Sequence, residues 1–272
     1  MPPSIKLQVK PKQSLGQNFL IDDNIARKIV RALDLKEHDV VVEIGPGQGA
    51  LTKYLAGKAR HLIAVEIDGR MVEDLQRKSS FPSDVILHSD FLECPLGDWQ
   101  KQYKTKLRLV GNIPYHLTSP ILFKVFEERS TVQDLTLMVQ RELARRIVAK
   151  PRTKEYGILS VFSQFYGAPS ILFNVPPSCF YPKPKVTSTV MQIRFQQHPV
   201  HRIDEDLFST VVRTTFGKRR KTLRSSLKYL PYDKADMERV LQRLDFPLHR
   251  RPEDLSVDEF LLLTQSIGQT LS

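Results

Sequence analysis

The feature that most constrains this chain is a strand, apolar on both faces, that runs straight into a glycine turn. Residues 40–44 read Val-Val-Val-Glu-Ile, and Gly45-Pro46-Gly47-Gln48-Gly49 follow at once. Such a strand belongs inside a sheet covered by helices on each side, which is the parallel arrangement. The flanking periodicity agrees. A helix with Ile25, Ile29, Val30 and Leu33 on its apolar face precedes the strand, with Asp23 or Asn24 as its cap. Helix 50–58, strand 61–66, helix 69–79, strand 85–88 and strand 107–110 follow it. Helix 118–128, strand 135–139 and helices 141–149 and 156–166 continue the pattern. Residues 186–195 alternate and are β-branched, which predicts a late antiparallel strand. The expected fold is therefore α/β and Rossmann-like, a mostly parallel sheet spanning residues 22–199. A basic N-terminal arm, residues 1–21 with Lys6, Lys10 and Lys12, comes before it. After His198-Pro199 only helical periodicity remains, so residues 200–272 are expected to form a small all-helical domain.

Open α/β sheets bind ligands at the carboxyl ends of their strands. Three acids fall there: Glu43 in the first strand, Glu66 at the end of the second and Asp90 after the third. Dinucleotide sites place a pyrophosphate at this turn, but Gly49 comes one residue early for that glycine pattern. Three carboxylates in one crevice suit a cation better, and S-adenosylmethionine carries an ammonium and a sulfonium. Any one of these acids read alone is a helix cap or a solvated loop residue. At the end of the fourth strand stand Asn112-Ile113-Pro114-Tyr115. An amide and a rigid backbone carbonyl can accept both hydrogens of an exocyclic amine, and a tyrosine ring can stack on the base. Read alone, this too is an ordinary strand-ending turn.

Charge and cysteine usage narrow the class further. Lysine and arginine number 41 against 30 acids, a net +11, which points to a polyanionic partner. Two runs concentrate it: Arg141, Arg145 and Arg146 on one predicted helix, and Lys218, Arg219, Arg220, Lys221 and Arg224 around a turn at Phe216-Gly217. These are the candidate RNA-binding residues. Cys94 and Cys179 are isolated, which argues against a disulfide scaffold or a zinc-thiolate site and suits a cytoplasmic protein. No run of eighteen apolar residues occurs, and no metal, no membrane partner and a monomeric state are expected.

Four segments in order carry a family likeness: Ser14-Leu15-Gly16-Gln17-Asn18-Phe19-Leu20, Glu43 to Thr52, Asn112 to Tyr115, and Phe180 to Ser188. The chain closely resembles the rRNA adenine dimethyltransferases, in particular the small-subunit branch. The resemblance implies transfer of four methyl groups from S-adenosylmethionine to N6 of two adjacent adenosines, in a hairpin loop near the 3′ end of small-subunit rRNA. It implies cofactor contacts from Asn18, Leu20, Gly45, Gly47, Glu66, Asp90 and Asn112. It also implies that Asn112 and a carbonyl near Pro114 hold the target amine, that Tyr115 stacks on the flipped base, and that Phe180 is a second aromatic there. The nearest rival function is large-subunit rRNA dimethylation of the macrolide-resistance type. Phe180–Ser188 and the stretch from Thr214 to Leu227 argue instead for the small-subunit branch. A non-catalytic RNA-binding assembly factor would keep the same fold, but intact Glu66, Asp90 and Asn112 speak against lost activity. A nicotinamide dehydrogenase fails on the glycine spacing and on Asn112–Tyr115.

Overall fold

The computed structural model describes residues 9–12, 16–78, 85–195 and 203–271. Its elements run β1 (Phe19–Leu20), α1 (Asp23–Ala32), β2 (Val40–Ile44), α2 (Thr52–Leu55), β3 (His61–Glu66), α3 (Gly69–Arg77), β4 (Ile86–His88), α4 (Leu96–Tyr103) and β5 (Leu107–Asn112). They continue with α5 (Thr118–Glu127), β6 (Val132–Gln140), α6 (Arg141–Ile147), α7 (Ile158–Tyr166), β7 (Gly167–Val175), β8 (Phe180–Tyr181) and β9 (Ser188–Phe195). Last come α8 (Glu205–Gly217), α9 (Leu223–Ser226), α10 (Lys234–Arg243) and α11 (Val257–Leu271).

The main sheet has the order β4-β3-β2-β5-β6-β9-β7. Strands β4 to β6 are mutually parallel, and β9 runs antiparallel to β6. Chain direction across the sheet reverses between β2 and β5, so the crevice of this doubly wound sheet lies over the glycine turn after β2 and the end of β5. All five residues of β2 are buried, as its unbroken apolar run requires. Gly111 lets β5 close up on β2, because a Cβ there would lie 2.7 Å from the Ile44 carbonyl oxygen.

Several local expectations need correction. Asp22, not Asp23 or Asn24, caps α1, taking the N–H groups of Asn24 and Ile25. Asp23 is engaged instead by Lys53, Tyr54 and Arg27. Helix 50–58 shrinks to the single turn of α2, between the glycine turn and Gly57. Strand β7 contains Pro169, which argues against a strand in sequence; it sits at the sheet edge, where a missing N–H costs little. A second, two-stranded sheet pairs β1 with β8.

The division into domains also differs. Of the described residues, those up to 144 together with 168–195 form one compact unit, and 145–167 with 203–271 form the other. Residues 145–167 join the helical unit because rings on α7 pack against α8: Phe162 and Phe165 lie 6.0 and 4.3 Å from Phe208. The expected boundary at residue 199, and Lys6 of the basic arm, lie outside the described residues.

At the amino ends of the strands, Arg108 on β5 is buried and completely engaged. It donates to Asp134 on β6 (2.6 Å), to Asp39 before β2 (2.7 Å) and to the carbonyls of Leu33 and Asp34.

Candidate active site at the carboxyl ends of the strands

The opposite ends of the same strands surround a cavity of about 230 Å³. Its walls carry Glu43, Glu66 and Asp90 and, among the described residues, no lysine or arginine. The predicted convergence of three acids on one crevice is what the fold produces. Glycine geometry shapes the floor. Gly45 and Gly47 hold φ of +67° and +55°, the left-handed region in which a side chain is strained. A Cβ on Gly47 would also press on Phe19 at 3.1 Å.

The acids are held differently. Glu66 is 5% exposed and accepts from the N–H groups of Gly47 (3.0 Å) and Asp68 (2.9 Å). Burial raises its pKa, against those two N–H groups, which favour the ionised form. Burial pushes the Glu43 carboxyl up to about 8; Thr52 opposes the shift and the charge of Glu66 adds to it. One Glu43 oxygen, Oε2, has no hydrogen-bond partner. Asp90 uses Oδ1 to cap the short turn Phe91–Glu93 through the Leu92 N–H (2.9 Å). That is the role expected of a lone acid there, yet Asp90 faces the cavity as well.

Asn112 ends β5, and its Nδ2 donates to the Asn18 backbone carbonyl at 3.0 Å. That bond orients the amide and leaves Oδ1 as its untied end. The Pro114 carbonyl takes the Leu117 N–H (3.0 Å), and Ile113 and Pro114 both line the cavity beside Asn112. Tyr115 lines the cavity and shares a 3.0 Å hydrogen bond with Ser188, a fully buried hydroxyl on β9. Asn18 and Leu20 reach the cavity from the N-terminal segment, and Ile67, half exposed, adds an apolar wall.

Phe180 departs from expectation. It pairs with Leu20 across β1 and β8, is 2% exposed, packs into the core and does not line the cavity. The antiparallel pairing turns its ring inward, where it backs the strand that carries Leu20. Sequence reasoning missed Ser188, Ile67 and Gln17. Ser188 and Gln17 depend on long-range contacts that no local spacing announces, and Ile67 directly follows Glu66 at the end of β3.

The basic residues differ in how far they are committed within the chain. Arg219 pairs with Glu253 (2.5 Å), and Lys221 with the Tyr229 hydroxyl (2.6 Å). The Lys218 ammonium lies 4.6 Å from the Tyr229 ring centre. Arg220 and Arg224 are exposed, and so are Arg141, Arg145 and Arg146 on α6.

The cavity asks for a ligand that brings positive charge. Two carboxylates are buried with no cation beside them among the described residues, and one oxygen is orphaned. Comparison with known proteins adds to this. A family model described as ribosomal RNA adenine dimethylase matches residues 8–266. Ribosomal RNA small subunit methyltransferase A of Clostridium botulinum (strain Loch Maree / Type A3) is 39% identical over 268 residues, spanning 98% of this chain and 97% of its own. The crystal structure of a dimethyladenosine transferase from Plasmodium falciparum superposes with a TM-score of 0.79 at 25% identity, over 93% of this chain and 98% of that one. The 23S rRNA methyltransferase ErmE gives a TM-score of 0.66 at 27% identity, over 92% and 100%.

Proposed function

The chain belongs to the ribosomal RNA adenine dimethylase family, and from that premise we propose that it transfers methyl groups from S-adenosylmethionine to N6 of two adjacent adenosines in a hairpin loop of small-subunit rRNA. The observation that carries this reading is the Asn112 amide, tied at Nδ2 to Asn18 and standing beside Tyr115 in a cavity walled by acids.

Glu66, held ionised by two backbone N–H groups, has no lysine or arginine beside it in the cavity wall among the described residues. Glu43, a neutral acid below about 8 without ligand, is ready to ionise beside a cation. Both fit S-adenosylmethionine and fit a pyrophosphate poorly. Glu66, at the end of β3, takes the ribose hydroxyls; Asp90 takes the adenine amine through its open oxygen; Gly45 and Gly47 give the methionine part a bare backbone to lie against. Asn18 and Leu20 close the cavity from the N-terminal side. The bound cofactor supplies an electrophilic methyl group on a sulfonium.

The chain's own residues prepare the nucleophile. Asn112 Oδ1 and a backbone carbonyl near Pro114 accept the two N–H bonds of the adenine amine, which draws its lone pair out of conjugation with the ring and toward the cofactor side of the cavity. Tyr115, anchored by Ser188, stacks on the flipped base. The methylated amine is acidic enough to release its proton to water, so no side-chain base is required. After the first transfer one N–H remains and one acceptor suffices, and the second methyl group needs only room. The exposed arginines of α6, with Arg220 and Arg224, take the RNA phosphates. With this substrate the protein works in the cytoplasm.

Labelled methyl transfer to undermethylated small subunits tests the reading, with large subunits alongside. Close to four methyl groups per small subunit, all as dimethyladenosine, is the expected result. Label on large-subunit rRNA instead would move the chain to the specificity for which ErmE is named.

A further inference from the structure

We propose that the contact between Gln17 and Asp68 is a latch that positions the Asn112 amide for the target base, so that the ribose end of the cavity and the base-holding end act together. The inference rests on the function proposed above, in which Asn112 holds the amine.

Asp68 is the hub. Its backbone N–H donates to Glu66 Oε1 (2.9 Å), which fixes the ribose-side carboxylate. Its side chain, only 7% exposed, receives Arg70 Nε at 2.9 Å and Nη2 at 2.5 Å. The same carboxylate receives Gln17 Nε2 at 3.0 Å. The Arg70 guanidinium keeps the Asp68 carboxyl ionised, down at about 2, so it remains an acceptor for Gln17 at any working pH. Gln17 spends its other end on the Lys12 N–H (2.7 Å), so both ends of its amide are committed.

One residue further on, the Asn18 carbonyl accepts from Asn112 Nδ2. A carbonyl accepts and never donates. It therefore forces the amide to present NH2 to the N-terminal segment and Oδ1 elsewhere. If that segment lifted, Asn112 would lose the partner that decides which end faces the base. A flipped amide would offer two donors to an amine that also donates. Phe19 lies against Gly47, so Gln17, Asn18 and Phe19 are held over the ends of β3, β5 and β2 respectively. Asp68 touches neither the reacting atoms nor the base in this scheme. It and Gln17 are positioning residues.

The test uses the full chain. In single-turnover transfer at saturating S-adenosylmethionine and small subunits, Gln17→Ala should lose about tenfold in rate, the size of one well-placed hydrogen bond. Cofactor affinity should fall by less than the rate does, since only Asn18 and Leu20 of the cofactor's contacts lie on this segment. Gln17→Glu should lose more, since it sets two carboxylates together. A role confined to shaping the cofactor pocket would lower affinity and leave the rate at saturation unchanged; an unchanged rate, with or without weaker cofactor binding, overturns the latch. The Asn112 side-chain amide resonances in ¹⁵N-labelled protein read the same contact with no RNA present. They should shift and exchange faster with solvent in Gln17→Ala, and unchanged resonances also overturn the latch. A wild-type protein that methylates no small subunit but shows the resonance change would instead count against the proposed substrate alone.

Discussion

The two ends of one parallel sheet bury charge in opposite ways. At the amino ends, Arg108 is surrounded by Asp39, Asp134 and two carbonyls, and each polar atom of the guanidinium has work within the chain. At the carboxyl ends, Glu43 and Glu66 are buried as deeply, yet backbone N–H groups are the main partners of one and an oxygen of the other is orphaned. A buried charge is costly unless it is paired. The first end meets that requirement internally and belongs to the fold. The second keeps Glu43 protonated up to about 8 and leaves Glu66, among the described residues, without a cation, so it belongs to function.

Removing the cation from the closed end should have the largest effect. Arg108→Met leaves two buried aspartates facing each other and is expected to cost about 3–5 kcal/mol of stability by chemical denaturation. Near-wild-type stability would mean that this end is not closed at all. At the open end, Glu66→Gln should leave the protein folded while weakening S-adenosylmethionine roughly tenfold or more by calorimetric titration, as expected for losing a charged hydrogen-bond acceptor. Equal affinity would show that Glu66 serves the fold alone.

Glu43 distinguishes the ends by pH. An acid whose folded pKa is raised binds its proton more tightly in the folded state. Its stabilising contribution is therefore complete below the unfolded value of 4.5 and is lost as pH rises toward about 8. Without ligand, stability should fall across that window by at most about 1.4 kcal/mol per pH unit from this residue, one proton's linkage. Glu43→Gln should flatten the slope. An unchanged slope in that variant would place the titration elsewhere.

The same contrast extends, more weakly, to the surface cations. Arg219 is committed to Glu253 and Arg220 is open. Arg220→Glu should reduce the salt dependence of RNA binding by about one in log–log slope, the signature of one lost phosphate contact. Arg219→Glu should act first on stability. Equal effects from the two would erase the distinction.

Much of the open end was legible in sequence, because its residues follow strands whose period is plain. Val40–Ile44 with its glycines, Glu66, Asp90 and Asn112–Tyr115 each sit at the end of a recognisable apolar run. The closed end was not legible. Arg108 reads as an interruption of β5, and its partners lie 69 and 26 residues away. Phe180 went astray for a related reason: a two-residue strand has no periodicity to say which face is buried. Helix α7 was recognised as a helix but placed with the wrong unit, since its own sequence does not reveal that Phe208 is its partner. Gln17 sits in a recognised segment, but its bond to Asp68 spans 51 residues.

The most direct test of the account is Asn112→Ala, with methyl transfer to small-subunit adenosines and S-adenosylmethionine affinity measured on the same preparation. The account predicts that transfer falls on the order of a hundredfold or more, because the amine loses its orienting acceptor, while the cofactor still binds within about tenfold of wild type. Turnover like that of the wild type would contradict it.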